Sequence, residues 1–478
     1  MSTLRSLRLL NAVESGTVNS TQLQSFLTDA GRASEFSVLL ASRGQSRRMA
    51  GSTLTMAAIV NSPAAIDIVF KSAKAETSSA CQAVVVSPIA MNSVSNSRPS
   101  LLILGANNVS WGLFNASTYY EVNVRTIIAN YANVNPASYP TVASLIIDPV
   151  SMADISAEPF AMSAVVASPA STTLMASNSS AMSLVASNPI AIDIVAKQTS
   201  IMGIIASSTS AMTEIISRST ATNRVSSYPG AITAISKVPA SWASFLSGQF
   251  FASNIALIVA NLAGISPTNF PTLASIIADA TSLALVAKNT QAVQALASNT
   301  AAMNALAISP NIGIILSSSN SMAVIGPNTS AMSSFLNASG AWAGLFASSV
   351  AKGYIVTSTA LVDIIATNSA LITYLGTMSV TASATGIPDG VVGAYQPFAG
   401  IPAKVLTLSA KEVGIAATFS PYKFGGSPMA GTQAGRELSL TAASNLTHIA
   451  GYTGMTWDLQ GIGVTAATLP IIKYVDMT

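Results

Sequence analysis

The sequence predicts a mainly α fold: a solenoid of short two-turn helices with a ten-residue period, an N-terminal helical segment before it and a C-terminal β domain after it. Three observations predict it. The stretch SNPIAIDIVAKQTSIMGIIASSTSAMTEII, residues 187–216, says nearly the same phrase three times, with Ile192, Met202 and Met212 at equal spacing. Within a phrase the apolar residues lie three and four positions after the first, as Ile215 and Ile216 follow Met212. That spacing makes one face of a helix, whereas a half-buried strand would alternate. Between phrases stand triplets such as Ser-Asn-Pro and Ser-Ser-Thr, which can cap a new helix and stop the previous one.

Residues 1–50 read as a basic, helical docking segment. TLRSLRLLNAVESG places Leu4, Leu7, Leu10 and Val13 on one stripe and ends in Gly16. STQLQSFLTDAG repeats the plan with Leu23, Phe26 and Leu27 and ends in Gly31, and SEFSVLLASRG makes a third helix stopped by Gly44.

Residues 51–376 form the array. Steps of ten from Val142 give Met152, Met162, Thr172, Met182, Ile192, Met202, Met212, Thr222, Ile232 and Trp242. The frame slips and resumes at Leu273, Leu283, Val293 and Met303, then at Met332 and Trp342 and at Leu361 and Leu371, with earlier copies at Met56 and Ile66 and a degraded stretch around Met91. The stretches 123–140 and 245–270 read as interruptions. Each unit is expected to be two helical turns plus a tight reversal, with Ser187 or Asn188 as a cap and Pro189 at the first helical position. So short a helix is unstable alone and persists when neighbouring copies cover its apolar face. The competing fold, a β-helix built from pentapeptides, does not suit the helical spacing or the recurring Pro and Asn. Thr172 and Thr222 read as drifted copies, and the isolated Asp67, Asp193, Glu214 and Asp363 as solvated.

Residues 377–478 read as a compact β-rich domain. Lys404-Val-Leu-Thr-Leu, Leu438-Ser-Leu-Thr and Ile472-Lys-Tyr-Val look like strands, with turns at Pro388-Asp-Gly and Lys423-Phe-Gly-Gly.

Composition narrows the function. Charged residues make up 8% of the chain, against roughly 25% in ordinary soluble domains. Mean hydropathy is +0.53, yet no run reaches the roughly 18 apolar residues of a spanning helix; even residues 250–265 are broken by Ser253, Asn254 and Asn261. No membrane insertion is expected, and the N-terminus reads as an amphipathic helix and not a signal peptide. The excess positive charge lies in residues 1–76, where Arg43-Gly-Gln-Ser-Arg-Arg is the one basic cluster. It suits nucleic acid or an acidic protein surface, but no aromatic residues interleave to stack on bases, so nucleic acid is not expected.

Searches for chemistry assign no catalytic, cofactor-binding or metal-ligating residue. The lone Cys81 excludes an intrachain disulfide and reads as a buried hydrophobe. His448, the single histidine, reads as a surface or structural residue. Gly461-Ile-Gly-Val-Thr-Ala leaves no room for the acidic residue of a dinucleotide site. Asp154 and Glu158 have the spacing of a shared helix face without further support as an acid/base pair. No enzymatic activity and no cofactor is expected.

The phrases SSTSAM, SNSSAM and PNTSAM, each followed by branched residues, resemble the Ala-Met decapeptide arrays of tail-fibre and virion structural proteins of tailed bacteriophages, and LRLLNAVESG and the residues after it resemble their lead-in. The likeness covers the first three quarters of the chain. It implies a virion appendage that acts as a spacer, in contact with other virion proteins, present as a homo-oligomer (a trimer being usual for fibres), and offering the β domain to a host receptor or a neighbouring subunit. A capsid decoration or collar protein and a cell-surface adhesin or scaffold remain alternatives. A glycan-depolymerising enzyme is more distant, since it would need paired carboxylates.

Overall fold

A computed structural model describes residues 2–70 and 79–383, and beyond them the strand segments 396–397, 404–412, 422–430, 437–438, 445–459 and 470–478. Most decapeptides form one α-helix of eight or nine residues, such as Ser179–Ser187, Pro189–Ala196, Thr199–Ala206 and Thr209–Ile216. Four positions of each repeat turn inward. In Thr199–Ala206 these are Ile201, Met202, Ile205 and Ala206, all exposed by 3% or less. Thr172 and Thr222 are not loosened copies. Each is buried in place of a methionine and donates its hydroxyl to a carbonyl of the preceding helix, Thr172 to Val165 (3.2 Å) and Thr222 to Ile215 (3.1 Å).

The junctions are corners, not reversals. Four consecutive pairs bend by 101°, 106°, 102° and 93°. A single extended residue joins the helices, for example Asn188 at φ −96° and ψ 116°, which is too short a connection for an antiparallel helix pair. The path therefore returns over itself at the third helix. Pro169–Ser177 packs on Thr199–Ala206, which packs on Pro229–Ser236, while Ser179–Ser187 packs on Thr209–Ile216.

This stacking explains why Ser and Asn dominate the junctions and acids do not. Several caps in the array do two jobs. The Ser208 hydroxyl accepts the Ala211 N–H (3.2 Å) and donates to the Ala176 carbonyl (2.6 Å) at the end of a helix in the preceding coil. The Asn328 side chain accepts from Ala331 N–H and donates to the Ala297 carbonyl (3.0 Å), and Asn289 and Asn368 repeat the pattern. Orphan groups of two helix ends are satisfied together. A carboxylate can accept but cannot donate.

The two interruptions are one motif used twice. Tyr120–Tyr131 and Phe251–Ala263 are longer helices, each ended by a left-handed residue, Asn133 (φ 59°) or Gly264 (φ 70°). Next comes a short helix whose cap, Thr141 or Thr272, exchanges bonds with Ser144 or Ser275, and then an aspartate cap, Asp148 or Asp279. Ten decapeptide helices follow in both cases, reaching Leu246 and Met378. Val142 and Leu273 are therefore not core positions of the repeat; the short helices bury Leu145 and Ile146, or Ile276 and Ile277.

The N-terminus opens with the same order of parts: helix Ser2–Glu14, left-handed Gly16 (φ 75°), an Asn19–Gln22 capping box and an Asp29 cap. Its buried stripe is Ser6, Leu9, Leu10 and Val13, while Leu4 is 54% exposed. Gly31 and Gly44 stop nothing. They lie inside Ala30–Leu40 and Arg43–Gly51, whose starts are fixed at Asp29 and Ser42. Stacking has already begun in this segment, with Ala30–Leu40 on Pro63–Phe70 and Arg43–Gly51 on Ser79–Val85.

The chain divides into two compact units, Met1–Phe251 and Ala252–Thr478. In the second, the strands form one antiparallel sheet in the order 380–383, 470–476, 404–412, 445–459, 422–430, 437–438, with 396–397 also on 445–459. It packs against helices Ser349–Thr357 and Thr359–Thr367 of the same unit. Lys423-Phe-Gly-Gly, expected as a turn, is strand; its pairing with 445–459 shifts between Gly425 and Ser427, where 445–459 carries one extra residue as a bulge. Val405, Leu406, Thr407 and Leu408 are buried in succession, so this strand is covered on both faces instead of alternating. Pro388-Asp-Gly and residues 439–441 lie outside the described residues.

Candidate functional site

The basic cluster forms the start of helix Arg43–Gly51. Its members separate. Arg48 pairs with Glu14, while Arg43 and Arg47, one turn apart, border an open depression of about 230 Å³ with Ser79, Gln82 and Val86. Among the described residues no aromatic side chain lines it. Two adjacent guanidinium groups at a shallow, partly apolar surface can hold an acidic group, and nothing in the arrangement reads a base.

The other residues singled out in the sequence do not gather. Cys81 is buried, and burial pushes its thiol up to about 11 even though a hydrogen bond with Ser110 opposes the shift. Asp154 and Glu158 share no helix: one is exposed on Pro149–Ala157, and the other caps Pro159–Ala167 by accepting the Phe160 N–H (3.3 Å). His448 lies in the strand 445–459, with its side chain outside the described residues, as is the whole of 461–466. Among the described residues no three His, Cys, Asp or Glu side chains come together as a metal site. Among them, too, no single helix is long and apolar enough to cross a membrane.

Of the charges expected to be solvated, Asp193 and Glu214 instead take part in contacts between coils. Asp193, 20% exposed, accepts from Lys197 (2.7 Å) and from the Tyr228 hydroxyl, with Arg224 at 3.6 Å. Burial raises its carboxyl, but the hydrogen bonds of Lys197 and Tyr228 and the charges of Lys197 and Arg224 outweigh it, and the net shift is downward. Arg218 joins Glu214 to Ser187 (2.8 Å) and Ser183 (2.7 Å) in the preceding coil.

Sequence reading missed a second depression, of about 450 Å³, beside Trp111. Trp111 begins the aromatic cluster Trp111, Phe114, Tyr120, Tyr131 and Phe160, in a chain with 6% aromatics. The Tyr120 hydroxyl donates to the Ala164 carbonyl (2.8 Å) and that of Tyr131 to Leu101 (2.7 Å). Burial pushes both phenols well above their ordinary range, so they act as neutral donors. The density of aromatics between 111 and 131 was the available signal. A comparison with protein-family models and with curated proteins finds no match to the chain.

Proposed function

We propose that this chain is a non-enzymatic structural protein of a bacteriophage virion, a tail fibre or tail-associated appendage. The observation that carries the reading is the array itself. A fold in which each short helix leans on the third one along grows by adding copies, and that suits a spacer whose reach evolution can adjust. The resemblance of the Ala-Met phrases to virion proteins supports the same class. The N-terminal part would dock to other virion proteins, the copies would associate as a homo-oligomer, and the C-terminal strands would meet the host surface or a neighbouring subunit.

The experiment is deletion of residues 377–478 in the phage. Particles should assemble and fail to adsorb; normal adsorption would remove the β region from host contact. Immunogold labelling of particles separates this reading from a collar or capsid decoration, and absence from purified particles would overturn the virion assignment.

A further inference from the structure

We propose that the depression beside Trp111 binds a neutral sugar residue. It lies within the first unit, where helices Asn108–Asn115, Pro159–Ala167 and the start of Thr199–Ala206 meet, and at about 450 Å³ it has the size of a small-ligand site. Its apolar part is the Trp111 indole with buried Val166; its polar part is Asn115, Ser163, Gln198 and Ser200. Among the described residues no ionisable side chain lines it. An aromatic ring beside uncharged amides and hydroxyls matches a pyranose, which offers apolar C–H groups on one side and hydroxyls around its edge.

Of the polar groups, the Ser163 hydroxyl already donates to the Pro159 carbonyl (2.8 Å) and can only accept from a ligand, while the others are available. The side chains of Trp111, Asn115, Gln198 and Ser200 make no hydrogen bond with other described residues. Gln198 stands at a cap position, where the repeat calls for Ser or Asn, and its side chain makes no capping bond. Its carboxamide and the first-turn N–H groups are left for another partner.

Trp111 is also pre-positioned. Phe114 stacks on it (centroids 6.1 Å apart), and Tyr120 and Tyr131 meet it edge-on at 6.0 and 5.8 Å. The motif Ser-Trp-x-x-Phe recurs at Ser241–Phe245 with the same stacked pair, yet Trp242 is only 5% exposed and Leu246 stands where Asn115 does. The partial exposure of Trp111 is therefore a local feature and not a demand of the motif. This assignment does not depend on the virion reading.

The test is saturation-transfer NMR on the full chain with glucose, galactose, mannose and N-acetylglucosamine at millimolar concentration, followed by titration calorimetry. At least one sugar should bind saturably. Asn115→Ala and Gln198→Ala should each weaken it by about threefold to tenfold, the value of one net hydrogen bond, with unchanged circular dichroism. Trp242→Phe should leave binding as it was. The assignment is overturned if none of the four sugars binds or if both alanine variants bind as the parent does.

Discussion

Truncating Met202 tests how stability is shared along the array. Met202 is fully buried in Thr199–Ala206, between Pro169–Ser177 and Pro229–Ser236. Met202→Ala removes three methylene-sized groups, worth about 2.4 kcal/mol at ~0.8 kcal/mol each. A residual cavity adds to this, giving about 3 kcal/mol, inside the usual range for such truncations. Because each helix is held chiefly by those three places away, the loss should be local. Amide hydrogen exchange should quicken by about a hundredfold in helices 169–177, 199–206 and 229–236, since 1.4 kcal/mol is a factor of ten. Helices in the second unit, such as Ser349–Thr357, should keep their protection. Met202→Leu, which conserves volume, should cost less than about 1.5 kcal/mol. Equal loss of protection in both units would refute nearest-neighbour stacking, and no loss at 229–236 would refute the third-helix contact.

The Asp193 network makes a signed prediction in pH. The carboxyl is held below its ordinary value in the folded chain, so its contribution is full above the unfolded carboxylate range and is lost as pH falls through the lower folded value. Asp193→Asn should lower Tm near neutral pH and shrink the drop in Tm between about pH 6 and about pH 3; an unchanged drop would show that the network is not coupled to folding. At the junction before Pro239–Leu246 the cap is Val238, whose side chain makes no capping bond. Val238→Asn should raise stability by about 1 kcal/mol, seen as a higher urea midpoint at constant slope.

Local rules made much of the molecule legible. Pro at the first helical position, Asn or Ser before it and apolar residues at spacing three and four fix each helix within its own ten residues, which is why Pro189–Ala196 and its buried Ile192 could be read directly. The strands at 404–412 and 470–476 announced themselves in the same way. At the N-terminus local reasoning misplaced the stops, because Gly31 and Gly44 looked like terminators while the true boundaries are made by Asp29 and Ser42 starting the next helix. The Arg43–Arg48 cluster was visible as charge. Trp111 was hidden, since a tryptophan inside Ser-Trp-x-x-Phe reads as core and only the surrounding helices decide that one copy stays partly exposed.

The amino-acid sequence by itself determined the period, the helices and the inward stripe, all of which depend on neighbours a few bonds away. The tertiary structure alone decided that three helices complete a coil, that Ser208 and Asn328 serve two helices at once, and that Asp193 is held between coils. Those outcomes rest on contacts about thirty residues apart, and a ten-residue repeat is the same whether two, three or four copies close the turn. The corner angle at each single-residue junction makes that choice.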